Sequence, residues 1–448
     1  MRLKIILAAF LSTLALNAVS MDYLSNNSAS YFQNPSQTGK ITVEGVFYNP
    51  AGTAFLEDGK YFNVNMQNSM IQESMTLNGK KMASNRYAGA PSFNYVQKKG
   101  SNSIFANASV VAGGATLKYD EGVAGINLAA ETFDNMTRGL LGAKVTRNQF
   151  SGQNRYYQLM LGGAHQLTDK LSIGGGLKYV HAMRKLNGYA SFGYNPFVGA
   201  KVGLKGNELY LDSRRRADGV GAVLGLDYKA TDTLNFAVKY ETPVKLKFKT
   251  KATESTDMTL AGRKIGLSDF YPKYANGVNS RRDLPGVLSL GVSKDINDWT
   301  VSGGYIHYFN KAANMDGIDY RDGHEVNFGV DYRFSPKWTW HAGYNYAHTG
   351  APKQSYNDTE YAINAQIYTT GLTFKPTENH EWKFGVGYVK YNSENGEPEI
   401  THGIKLDKSK VKYDKDKLRY GKIIIMSDAD VSHWRMKDFS LYQGGQII

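Results

Sequence analysis

The sequence predicts an all-β fold, a transmembrane antiparallel β-barrel of about 14 strands with an N-terminal hatch, or plug, inside its lumen. Three observations predict it. Apolar and polar residues alternate with period two through most of the chain beyond residue 60. Tight turns alternate with long polar connections. The chain has 448 residues and no cysteine, so disulfides cannot stabilise it, whereas its 47 glycines, 31 tyrosines and 20 phenylalanines suit a large sheet.

The alternation is clearest in the C-terminal half. In "HEVNFGVDYRF" Val326, Phe328, Val330, Tyr332 and Phe334 share one face, and Glu325, Asn327, Gly329, Asp331 and Arg333 the other. "WTWHAGYNYA" (338–347) and "EWKFGVGY" (381–388) repeat the pattern. "LNFAVKYETPVKLKFKT" (234–250) puts Phe236, Val238, Tyr240, Val244, Leu246 and Phe248 together. A soluble sandwich also alternates, but its connections differ. Here tight turns fall at "LTDK" (167–170), "ATDT" (230–233), "DIND" (295–298), "SPK" (335–337) and "KPTEN" (375–379). Long loops are expected near 186–212, 251–283, 311–323 and 349–362. Short turns at one end and long loops at the other are the mark of a membrane barrel. Trp299, Trp338 and Trp382 each follow a tight turn, where an interfacial girdle would lie. Strands of about nine to eleven residues are expected.

The first 20 residues read as a cleaved export signal. Arg2 and Lys4 precede the apolar "IILAAFLSTLAL", which is shorter than the roughly 20 residues of a membrane span, and Ala18-Val19-Ser20 offers cleavage after Ala18 or Ser20. The mean hydropathy of -0.43 agrees with the lack of any apolar helix. The formal charge of +13 is spread along the chain and reads mainly as solvated lysine, with attraction to anionic lipid, polysaccharide or acidic ligands as its functional side. Nucleic acid is not an expected partner of an exported chain. Neither a cofactor nor a metal is expected, and His165, His181, His307 and His341 have no partnered serine motif, so the chain does not read as an enzyme.

Residues 21–58 contain no membrane strand, yet carry Tyr23, Tyr31, Phe32, Phe47, Tyr48 and Phe55, which demand burial. A barrel of about 14 strands is too wide to be filled by its own side chains, so a hatch folded into the lumen satisfies both needs. The barrel proper is then 59–426, with an atypical tail at 427–448. In "YNPAG", Pro50 fixes its own φ and biases Asn49 toward extended geometry, while Gly52 has dihedral freedom. The Asn49 amide is placed to tie the hatch to the wall.

The segment "YLSNNSASYFQNPSQTGKITVEGVFYNPAGTAFLEDGKYF" resembles the N-terminal hatch of the FadL/TodX family of outer-membrane transporters of hydrophobic compounds, with Asn49-Pro50-Ala51 matching the hatch signature. "YETPVKLKFKT" and "DLPGVLSLGV" are similar to its later strands, and the resemblance runs from about 21 to 410. It implies capture of a hydrophobic ligand, such as a long-chain fatty acid, by external loops. Passage to a lumenal pocket, hatch movement at Asn49, Pro50, Ala51 and Gly52, and sideways exit at a kinked third strand would follow. In "SIFANASVVAGGATLKY" the kink would be Gly113-Gly114. Lys245, Lys247 and Lys249 are expected on the lumenal face as a site for the ligand carboxylate, or else as a solvated row. "SRRRAD" (213–218) reads as a loop base that pairs with acidic partners or lipopolysaccharide phosphates.

Expected partners are the ligand, outer-membrane lipid and lipopolysaccharide, and the barrel-assembly machinery, with the chain itself a monomer in the outer membrane of a Gram-negative-type bacterium. The tail departs from the pattern. "KLRYGKIIIMSDADV" breaks the alternation and resembles the toprim segment of DNA gyrase, in which Asp428 and Asp430 match magnesium-binding carboxylates and Ser432 replaces a third. Two carboxylates make a poor metal site, so the tail reads as a chimeric end or chance similarity. A general porin, a surface adhesin and a barrel lipase are the competing readings.

Overall fold

The structure is a computed structural model and describes residues 28–358, 360–401, 404–416 and 428–429. The leader expected at 1–20, and most of the tail including Asp430 and Ser432, lie outside the described residues.

The strands are β1 Gly59–Leu77, β2 Lys80–Lys99, β3 Asn102–Tyr119, β4 Lys144–Gln166, β5 Leu171–Gly193, β6 Glu208–Thr231, β7 Leu234–Glu241 and β8 Lys247–Thr256. There follow β9 Asn279–Arg281, β10 Val287–Ile296, β11 Trp299–Tyr308, β12 Gly323–Ser335, β13 Trp338–His348, β14 Ala365–Thr377, β15 His380–Tyr391 and β16 Val411–Asp416. They belong to one large antiparallel sheet. Successive long strands pair with one another; β6 takes both β7 and β8 along its far side, β7 pairs on with β10, and β8 with β9. β16 pairs with β1 over Leu77↔Val411 to Gln72↔Asp416, and Asp428–Ala429 pair with His380–Glu381.

The tight turns lie where the sequence puts them, at 167–170, 232–233, 297–298, 336–337 and 378–379. Asn297 takes φ 55°, the left-handed geometry that suits a short hairpin. The strands of the N-terminal half are longer than expected: β1 to β6 run from 18 to 24 residues. Residues 186–193 and 208–212, expected in a loop, continue β5 and β6. A polar strand rising out of an apolar band has no hydrophobic period, and only its ladder identifies it.

The two faces are inverted relative to a water-soluble protein. Leu177, Val220 and Phe328 point outward at 74%, 73% and 59% exposure, while Asn63, Asn65, Asn94, Asp227 and Asn345 are buried inside. Such a belt of exposed apolar side chains is stable only against lipid. No described helix is long and apolar enough to cross a membrane. Inside the sheet lie α1 Ala29–Gln33, α2 Gly45–Tyr48 and a 3-10 turn at Pro50–Phe55. Among the described residues the longest helix, α3, Ala124–Met136, lies between β3 and β4, where the sequence predicts none. It buries Ile126, Leu128, Ala129 and Phe133 in an apolar core at the long-loop end, together with Leu209, Tyr356 and Ile363.

Candidate functional site

The N-terminal segment 28–58, expected as a hatch, is seated on glycine. A Cβ at Gly291 would stand 2.3 Å from the Gly39 nitrogen, and one at Gly174 2.7 Å from the Ala51 nitrogen, so the hatch backbone lies directly on wall backbone. At Gly329 a Cβ would stand on the Asn34 amide, and at Gly385 2.6 Å from the Ala29 carbonyl. These wall positions are therefore glycine for want of space rather than for their dihedrals. Gly52 follows the same rule. It sits in the 3-10 turn without a positive φ, and its missing Cβ leaves room for the Asp227 carboxylate at 3.2 Å. The dihedral freedom expected there is not what the position uses.

Polar tethers surround this seat. Asn49 is extended at φ -160°, ψ 101°, and its Nδ2 donates to the Leu226 carbonyl at 3.2 Å and to Asp227 Oδ2 at 2.8 Å. Asn34 Nδ2 donates to Asp331 Oδ1 at 2.9 Å and Lys40 Nζ meets Asp331 Oδ2 at 2.6 Å, while His341 bridges Asp331 and Thr373 at 2.8 Å each. Lys239 Nζ donates to the Phe47 carbonyl at 2.9 Å and pairs with Glu241 at 2.6 Å. Asn235 and Ser293 both donate to the Gly39 carbonyl.

Above the N-terminal segment, toward the long loops, an apolar layer covers the inner face of the sheet. Tyr31, Phe32, Phe47 and Tyr48 of the hatch meet Val111, Ala112, Tyr156, Val244, Leu246 and Phe248 of the wall. Above this layer comes a charged one. Arg215 lies 5.1 Å over the Phe248 ring and Arg184 Nη1 donates to the Tyr156 hydroxyl at 3.4 Å. Arg215 and Arg282 each reach Asp316 at 3.2 Å, Lys273 reaches it at 3.6 Å, and Glu360 receives Arg184 and, at 2.9 Å, Arg282. Burial pushes the Asp316 carboxyl upward, but Arg282, Lys273, Arg184 and Arg215 outweigh it and hold it well below the usual range. Glu360 is held down in the same way, chiefly by Arg184 and Arg282. Four cations face two carboxylates, and among the described residues Nε of Arg184 and Nε of Arg215 are buried without a hydrogen-bond partner. Beyond lies a pocket of about 110 Å³ lined by Phe270, Tyr271, Lys273, Tyr274, Tyr356 and Lys408.

Two breaks interrupt the wall at the apolar layer. The β3–β4 register shifts between Val110 and Ala112 and again between Gly113 and Thr116, so Gly113 stands at the edge of the second irregularity and Gly114 within it. The second break separates β7 from β8 at Thr242–Leu246. Phe236, Val238 and Tyr240 face outward before it, whereas Val244, Leu246 and Phe248 are fully buried after it. One extra residue flips the faces. Lys245, Lys247 and Lys249, expected in the lumen, are therefore exposed on the outer side. The same alternation splits the run at 214–216, which is strand and not loop: Arg215 is buried inside, Arg214 and Arg216 lie outside. Read as one unit, the run hides Arg215, which the inner face receives. Period two applied within it would have separated the three arginines.

Residues 26–414 match the model of the family described as outer membrane protein transport protein (OMPP1/FadL/TodX). The chain belongs to that family. Its members are transport channels rather than enzymes. Outer membrane protein P1 of Haemophilus influenzae is 24% identical over 289 residues, which make up 59% of this chain and 60% of that protein, so the alignment spans less than two thirds of the relative. Together with the family match, it places the chain in a Gram-negative outer membrane. Solved family structures are similar in fold. A Pseudomonas aeruginosa FadL homologue superposes with a TM-score of 0.67 at 13% identity, covering 92% of this chain and 100% of that one. The Pseudomonas putida toluene transporter TodX gives 0.61 at 16% identity, with 92% and 100% covered. The Ralstonia pickettii toluene transporter TbuX gives 0.56 at 15%, with 87% and 94% covered.

Proposed function

We propose that the chain moves hydrophobic molecules carrying an acid head, such as long-chain fatty acids, across the outer membrane. The observation that carries this reading is the stacking of an arginine layer with an excess of positive charge on an apolar layer in the lumen. Guanidinium groups hold a carboxylate by charge-assisted bonds, and the apolar layer below accepts the tail. On this reading the wall closes through the β16–β1 pairing into a barrel of about 14 staves, and the long loops are external. The small aromatic pocket among those loops is the capture point, with Lys273 and Tyr274 leading from it to the arginines.

The hatch blocks the straight path, so a tail held in the apolar layer leaves sideways into lipid. Val111 and Ala112 line that layer at the β3 irregularity, which makes Gly113-Gly114 the lateral exit. An apolar tail gains nothing from water on the periplasmic side. Hatch release at Asn49, Pro50, Ala51 and Gly52 frees Phe47 and Tyr48, which form the floor of the layer.

A second reading, monoaromatic hydrocarbons, draws on the size of the external pocket and on the toluene transporters among the solved relatives. Binding of a long-chain fatty acid, its methyl ester and toluene to the purified chain separates the two, with Arg184→Gln/Arg215→Gln as the variant. The acid is expected to bind at least tenfold more tightly than the ester, and the variant to erase that difference. Equal binding of acid and ester removes the head-group role and favours hydrocarbons. Steady conductance without binding of any of the three makes the chain a porin.

A further inference from the structure

The registers of β4, β5, β6 and β8 lay out the outer wall row by row. Leu161, Leu177 and Ala222 stand side by side, followed toward the long loops by Leu159, Tyr179 and Val220, and then by Tyr157, His181 and Asp218. Apolar residues thus give way to aromatic and polar ones, which is the order expected across the edge of a bilayer. The next row is Arg155, Met183, Arg216 and Lys249, and the one beyond it Gln153, Lys185, Arg214 and Lys251. Arg214, Arg216, Lys249 and Lys251 are exposed, as are Lys245 and Lys247.

Within these rows like charges stand directly opposite one another: Lys185 beside Arg214, Arg214 beside Lys251, and Arg216 beside Lys249. Such cross-strand pairs repel. Little within the wall compensates them. Asp212 approaches Arg214 only at 3.8 Å, and Asp218 is taken by the Tyr179 hydroxyl and, at 2.8 Å, by His181. Among the described residues, Nε and Nη2 of Arg155 are buried without a hydrogen-bond partner. The field faces away from the lumen, so a ligand inside the barrel cannot neutralise it.

We propose that this field is a docking surface for the phosphate groups of an outer-leaflet glycolipid, lipopolysaccharide. The argument is one of position and charge. The rows begin where the apolar band ends, which is the depth of the head groups, and arginine and lysine interleaved across four strands match a cluster of phosphates. Basic residues at a membrane surface are drawn to anionic lipid. The proposal rests on the outer-membrane location and not on the identity of the cargo.

The test compares the full chain with Arg214→Gln/Arg216→Gln/Lys249→Gln/Lys251→Gln, both purified from outer membranes in mild detergent, and measures the lipopolysaccharide that comes with each. At least tenfold less is expected on the variant, with fatty-acid binding unchanged. Equal amounts on both chains overturn the proposal. Loss of fatty-acid binding with lipopolysaccharide retained also overturns it, because the field would then serve ligand capture. Should the variant fail to assemble, the parent alone decides. Its unfolding temperature is measured in phosphatidylethanolamine vesicles with added lipopolysaccharide or with its dephosphorylated form. Stabilisation by the phosphorylated form alone supports the surface; equal stabilisation by both, or by neither, overturns it.

Discussion

Replacing Asn49 by alanine tests the hatch at its most informative tether. Asn49 and Asp227 are 1% and 0% exposed, so neither finds water when the amide is removed. The amide donates to the Asp227 carboxyl group at 2.8 Å and to the Leu226 carbonyl at 3.2 Å. Together they contribute about 3 kcal/mol, part of it the cost of leaving the Asp227 oxygen without its donor. That is roughly a hundredfold in the ratio of displaced to seated hatch. The tethers at Asn34, Lys40 and Lys239 remain, so the hatch should still be seated most of the time. In planar bilayers the variant is expected to show conducting bursts about a hundred times more often than the parent, with unaltered heat-modifiable mobility as the check on assembly. Traces indistinguishable from the parent would refute the reasoning, since the tether would then not bear on hatch position.

A methyl group at Gly291 meets the Gly39 backbone and at Gly303 meets nothing closer than 3.7 Å. Gly291→Ala should therefore open the hatch to protease at a cost of about 1–3 kcal/mol, while Gly303→Ala behaves as the parent. Equal digestion of the two would deny the backbone seat. The depressed carboxyls of Asp316 and Glu360 contribute stability that is present above the ordinary carboxylate range and lost as pH falls through their lowered values. Protease resistance of the long loops should thus be flat from about pH 7 to 5 and decline only below about pH 4; loosening between 7 and 5 would show that other groups hold the loops. The Tyr361 hydroxyl lies near the Ser74 and Asp414 carbonyls, at 3.2 and 3.1 Å, across the β1–β16 seam. Tyr361→Phe is expected to lower the temperature of heat modification by about 2 °C, from roughly 1 kcal/mol, and an unchanged midpoint would free the seam of this clamp.

How much was legible in the sequence follows from which forces act locally. Period two in 324–334 and 338–347 gives both faces of β12 and β13 because each residue's side is set by the strand alone. The turns were legible for the same reason. The bend at Asn49-Pro50 was legible too, because proline restricts the residue before it. The faces of Val244, Leu246 and Phe248 were not. A one-residue slip at Thr242-Pro243 reversed them, and the slip is set by pairing with β6 on one side and the bridge from Val244 to Leu284 on the other.

By itself the sequence determined an alternating, exported, cysteine-free chain with an N-terminal segment too aromatic to stay in water. Those properties are sums over residues or rules of near neighbours. Only the tertiary structure decided that Arg215 turns toward Asp316 while Arg214 and Arg216 turn away, and that Gly39 lies on Gly291, 252 positions along the chain. Contacts of that range depend on strand register, and register is settled by the whole sheet at once.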